Sequence, residues 1–143
     1  MVMVLARLAP AGTIPWPPWT PPEKARKYDY VFLNSIGLEE DYAGIDVTGK
    51  IVFVSRGETN FADKANVAVD MGAIATVVYN NEPGTINMIL TGYYEEAPCV
   101  LITQASGNIV REHSTAATTD RGVTYYTGKV TVESKVKANI CEL

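Results

Sequence analysis

The side chains able to do chemistry in this 143-residue chain are few and far apart. A hydroxyl nucleophile needs a base within hydrogen-bond reach, usually a histidine. His113 is the one histidine. It follows Arg111 and Glu112 at a predicted helix end, where a partly cationic imidazole suits the helix dipole. A solvated helix terminus is the reading these neighbours favour. Ser35, Ser55, Ser106, Ser114 and Ser134 have no catalytic-looking context, and no Gly-x-Ser-x-Gly elbow occurs. Cys99 and Cys141 are too distant for a zinc or redox spacing. Cys99 opens an apolar run after Pro98 and reads as a small buried hydrophobe. Cys141 reads as exposed, and the sequence leaves a disulfide between the two open. One histidine and two distant cysteines cannot supply a zinc set. The phosphate-binding patterns GxxxxGK[ST] and GxGxxG are absent. Glu39, Glu40 and Asp41 do not match a calcium loop and read as a solvated loop. The expectation is therefore no catalytic residue, no metal and no cofactor.

What remains is surface. Tyr93, Tyr94, Glu95 and Glu96 stand together in a stretch (TGYYEE) that reads as an exposed loop. Tyrosine offers large, stiff, amphipathic area at low entropic cost, which suits recognition. The competing reading is that one ring packs on the core and the other is incidental. Asn80 and Asn81, just past a predicted strand, complete the candidate binding set.

The elements that position these residues are legible between positions 46 and 81, DVTGKIVFVSRGETNFADKANVAVDMGAIATVVYNN. Residues 51–54 read as a central strand, apolar on both faces. Residues 61–71 read as an amphipathic helix capped by Thr59 or Asn60, with Phe61, Ala65 and Ala68 on its inner face and Val69 and Gly72 continuing it. Gly72 stops the helix and residues 74–79 form the next strand. This is a strand–helix–strand unit, the kind that makes a parallel pair. Residues 28–33 and 99–102 read as further strands. A helix over 104–112, capped by Thr103, would turn Ala105, Ile109 and Val110 inward. Residues 114–121 read as a polar turn region, and residues 122–126 and 129–132 as a hairpin across Thr127-Gly128.

Six of the eight prolines lie between Pro10 and Pro22. Proline lacks the amide donor, so IPWPPWTPP reads as an extended connection. Trp16 and Trp19 within it read as covering the core rather than as an exposed strip. The apolar start reads as a first strand, near residues 3–8, rather than a secretory signal. With 12 basic and 16 acidic residues the net charge is −4. No basic run offers the electrostatic footprint of a nucleic-acid binder. No apolar run approaches the ~20 residues of a membrane helix.

In order, GKIVFVSRG, NFADKANVAVDMGA, ATVVYNN and APCVLIT resemble the protease-associated domain, in the version inserted in cell-envelope subtilisin-like serine proteases. The lead-in YDYVFLNSIGLEEDYAGIDVTGK is similar too, and the likeness covers residues 28–112. The family's recurrent residues map to Gly49, Lys50, Arg56, Gly57, Phe61, Lys64, Ala65, Gly72, Ala73 and Asn80, most of which read as turn glycines and packing positions rather than as a site. Cys99 departs from the aliphatic residue usual there. The resemblance implies an α/β (α+β) module, a β-sandwich or open barrel of about six to eight strands flanked by two helices. It implies a non-catalytic domain that contacts protein or peptide substrates and the parent catalytic domain, outside the cell or in its envelope. A structural spacer, or the same module in a zinc aminopeptidase or sorting receptor, are the alternatives. The expected organisation is a strand and proline-rich connection over 1–27, a core over 28–133 and a tail over 134–143.

Overall fold

The computed structural model describes residues 2–4, 26–84, 91–93 and 97–133. Seven strands there form one open, mixed sheet: β1 (Val2–Val4), β2 (Arg26–Leu33), β3 (Ile51–Ser55), β4 (Ala75–Tyr79), β5 (Cys99–Ile102), β6 (Thr115–Thr118) and β7 (Thr124–Glu133). The order along the sheet is β1-β7-β2-β3-β4-β5, with β6 also on β7. The strands β2, β3, β4 and β5 run parallel, and β7 runs antiparallel to β2. Two helices complete the fold, α1 (Phe61–Asp70) and α2 (Gln104–Glu112). The expected α/β class, strand number and two flanking helices all stand, and the strands join in a single open sheet.

Alternation along the strands sorts the core into two faces. Val31, Leu33, Val52, Val54 and Val78 meet the alanines of α1 on one face. Tyr30, Phe32, Ile51, Phe53, Val77 and Ile102 meet Val110 of α2 on the other. Helices on both faces explain why β3 is apolar throughout, and Ile51, Val52, Phe53 and Val54 are all fully buried. Phe32 stacks between Phe53 and Tyr79, at 5.7 and 4.6 Å between ring centres.

Both helices begin where the sequence puts them. The side chain of Asn60 accepts from the Asp63 amide at 2.8 Å, and Thr103 Oγ1 accepts from the Ser106 amide at 3.1 Å. Their inner faces are rotated from expectation. On α1 the buried residues are Ala62, Lys64, Ala65 and Ala68, while Phe61 is half-buried. On α2, Gly107 and Val110 are buried, but Ala105 is exposed and Ile109 is 51% exposed. The cause is close approach at Gly107, where a Cβ would sit 2.7 Å from Tyr79 Cβ. The helix is seated on its glycine, and that seating turns Ile109 outward.

The predicted hairpin across Thr127-Gly128 is not formed. β7 runs unbroken through both residues, because Gly128 lies directly opposite Tyr30 and leaves room for its ring. The hairpin instead joins β6 to β7 through a turn at Thr119–Gly122, so the expected polar turn region contains a strand. β1 lies beside the far end of β7, pairing Val2 with Thr131 in parallel. Trp16, Trp19, the rest of the proline segment and residues 86–90 lie outside the described residues.

Burial sets the chemistry of three acids in this core. It pushes the Cys99 thiol up to about 12 and the Tyr79 phenol up to about 12, and it raises the Tyr42 phenol further. All three fold as neutral groups. Their unfolded counterparts ionise near 9.0 for the thiol and 10.0 for the phenols. Between those values and about 12, the unfolded chain binds fewer protons than the folded one. Stability is therefore complete below pH 9 and falls as pH rises. Between pH 8 and 10.5 the urea-derived stability should drop by about 3 kcal/mol, mostly through Cys99. The Cys99→Ala chain should lose most of that slope, and a flat profile in the parent chain would exclude this account.

Candidate functional site: loops at the carboxyl ends of the parallel strands

In an open parallel sheet, the loops leaving the carboxyl ends of the strands are the usual place for recognition. Here those loops are residues 56–60 after β3, 80–84 after β4 and Thr103-Gln104 after β5. The ladder carries on into them. The Arg56 amide donates to Tyr79 O at 2.9 Å, and the Asn80 amide to Ile102 O at 3.0 Å. The loops therefore leave the sheet in fixed register.

Side chains then tie loop to loop. Arg56 Nη1 donates to Asn80 Oδ1 at 3.0 Å and reaches Glu82 Oε1 at 3.3 Å. The Arg56–Glu82 pair is exposed, so it contributes little to stability. Asn80 is 1% exposed, and its Nδ2 donates to Gly84 O at 3.0 Å. Gln104 Nε2 donates to Asn81 O at 3.3 Å. Asn80 is thus an internal brace of the 80–84 turn, while Asn81 is exposed on its surface.

The residue that sequence reasoning missed is Lys64. It is 1% exposed on α1, and its ammonium donates to Ile36 O at 2.8 Å, Gly57 O at 2.8 Å and Thr59 Oγ1 at 2.9 Å. Three donors meet three acceptors, which offsets the cost of burying the charge. Burial lowers the Lys64 pKa, while Glu58, Asp41 and Asp63 nearby act to raise it. The clamp holds Glu58 in the left-handed region at φ 48°, a conformation that persists only when its surroundings enforce it. The exposed Glu58 carboxylate is therefore presented from a fixed backbone. One signal was available: Lys64 falls between alanines on the inner face and among the family's recurrent positions.

The predicted tyrosine–carboxylate strip does not form as expected at Tyr93. That side chain is 4% exposed, packs with the α1 side of the core, and donates from its hydroxyl to Ala97 O. Asn66 Nδ2 anchors the adjacent Gly92 O at 3.3 Å. An aromatic ring with an internal acceptor gains more from burial than from water. Tyr94, Glu95 and Glu96 lie outside the described residues. His113 caps α2, with Nδ1 2.8 Å from Ile109 O, and is exposed. Cys99 is a free, buried thiol, and Cys141 lies outside the described residues. Among the described residues, no group of three His, Cys, Asp or Glu is placed to hold a metal ion. No described helix is long and apolar enough to cross a membrane. The loops offer hydrogen-bonding groups and charges of both signs, which is the equipment of a contact surface.

The sequence model of the PA domain matches residues 24–110, more than half of the chain. This chain belongs to the PA domain family. Its PA domain is 47% identical over 57 residues to the minor extracellular protease Vpr of Bacillus subtilis, covering 40% of this chain and 7% of that protein. It is 38% identical over 91 residues to probable leucine aminopeptidase 2 of Aspergillus fumigatus, covering 60% of this chain and 18% of that protein. Among solved structures, the aminopeptidase from Aneurinibacillus sp. strain AM-1 superposes with a TM-score of 0.55 at 28% identity, over 78% of this chain and 28% of that one. The chain thus spans only a small part of the curated relatives it matches, and its family relates it to proteases.

Proposed function

We propose that this chain is the PA domain of a secreted subtilisin-like serine protease, performs no bond cleavage itself, and governs which protein substrates reach the neighbouring catalytic domain. The observation that carries this reading is the braced loop set at the strand ends. Lys64 fixes residues 57–59 and Asn80 fixes residues 80–84, so Glu58, Asn81 and Glu82 are exposed on a rigid frame, with the half-buried Gln104 beside them. A rigid frame lowers the entropic cost of contact. The similarity to an extracellular protease supports both the class of parent and the location outside the cell. A second reading has its own support. The aminopeptidase likenesses extend over more of the chain than the likeness to Vpr does, and an aminopeptidase parent would use the same loops for the same purpose.

The test is the parent enzyme carrying Glu58→Ala, Glu82→Ala and Gln104→Ala together. Cleavage of a folded protein substrate should shift in site or fall by about tenfold, while a short chromogenic peptide is cut as before. Unchanged cleavage of both substrates would make the domain a spacer. Loss of both would place the loops in the catalytic machinery, and either result overturns the proposal.

A further inference from the structure

A concavity lies beside the end of α1 and shares no lining residue with the loops after β3, β4 and β5. It is a groove of about 650 Å³ between the 3-10 turn Glu39–Tyr42 and the end of α1. Leu38, Ala43 and Met71 provide apolar surface over the buried Tyr42, and Glu39 and Glu40 add exposed carboxylates. The turn is held in place by Asp41, whose Oδ2 accepts the Leu38 amide at 2.9 Å. Glu39 and Glu40 are exposed, and neither is in an ion pair among the described residues. Asp70, the residue before Met71, adds a further exposed carboxylate. Among the described residues, no cation lines the groove.

We propose that this groove is a docking site for an extended segment of another protein, taking one large apolar side chain with a lysine or arginine beside it. The charge of those carboxylates selects the cation, since like charge against it is repelled and opposite charge is attracted. Met71 is an unbranched, polarizable side chain that adapts to differing apolar shapes. At about 650 Å³ the groove holds an anchor side chain with its flanking residues, whereas a stable dimer needs about 1,200–2,000 Å² of buried surface. This site shares no residue with the strand-end loops, so either can fail alone.

The test uses the full 143-residue chain labelled with ¹³C at its methionine methyls, with the Met71 signal assigned through Met71→Leu. The probe is a blocked peptide, Ser-Gly-Phe-Arg-Gly-Ser, beside versions with alanine for its phenylalanine and glutamate for its arginine. Met71 should shift saturably with the first peptide and not with the alanine version. The glutamate version should bind about tenfold more weakly or worse, and Glu39→Gln with Glu40→Gln should weaken the first peptide about fivefold. Ala43→Trp, at an exposed position, should block the groove, while Glu58→Ala should leave binding unchanged. No shift at about 10 mM peptide, a range that still detects millimolar affinity, would overturn the proposal. So would equal binding of the glutamate version. A Met71 shift that follows dilution of the protein alone would assign the groove to a second copy instead.

Discussion

Lys64→Met is expected to cost about 3 kcal/mol of folding stability, a large part of the total for a domain of this size. Methionine keeps most of the volume and removes the three donors. Ile36 O then loses its partner, at about 1–3 kcal/mol for a buried acceptor left unpaired, and Gly57 O keeps only the Thr59 amide. Relief of the buried charge returns part of that cost, since burial already works against the ammonium. Urea unfolding reads the loss, which corresponds to roughly 10 °C in Tm. Amide exchange should also quicken at Glu58 and Thr59 before the sheet opens, because the clamp enforces the left-handed backbone there. Lys64→Arg should not rescue, since a planar fork cannot meet three convergent acceptors. A loss below about 1 kcal/mol would fall within ordinary surface behaviour and remove Lys64 from its central role.

Gly128→Val is expected to destabilise by a similar amount, about 3 kcal/mol, through crowding rather than lost bonds. A Cβ at Gly128 would lie 2.5 Å from Tyr30 Oη and 2.7 Å from Cζ. Tyr30 is fully buried and cannot swing outward without leaving its edge-on contact with Phe53, 5.3 Å between centres, and its hydrogen bond to Ser114 Oγ. The substitution forces one of those to go. Gly128→Ala should act in the same direction more weakly, and combining it with Tyr30→Leu should cost less than the sum of the two changes. Chemical denaturation of the four chains completes the cycle. Strict additivity would mean that the ring and the glycine do not meet.

Those two residues also show where the sequence stops being readable. The β3-α1-β4 unit was legible because its signals are local: an Asn60 cap, short continuous apolar runs, a glycine that stops the helix. Gly128 was misread because a glycine beside a threonine has the local form of a turn, while its actual reason is Tyr30, almost a hundred residues earlier in the chain. Ile109 was misread for a similar cause, since only Tyr79 decides which side of α2 can come close. Lys64 is the clearest case at the candidate site. A lysine on a helix reads as solvated, and its burial depends on carbonyls at Ile36 and Gly57 brought together by the sheet. Asn80 was marked as a binding residue by position, yet its hydrogen bonds turn it inward. Tyr93 finds an acceptor four residues on at Ala97, a contact that composition alone does not reveal.

Arg26 faces Val132 across the β2–β7 pairing. The stretch from β2 to β7 thus begins and ends about 5 Å apart, one strand spacing. A host loop could be cut and this unit spliced into the gap without prying its flanks open. To the host, about a hundred added residues would weigh like a link of one or two, sparing up to about 4 kcal/mol of loop-closure entropy. The graft could fold on its own schedule and be moved between hosts of unrelated shape, provided each offered two chain ends that close together.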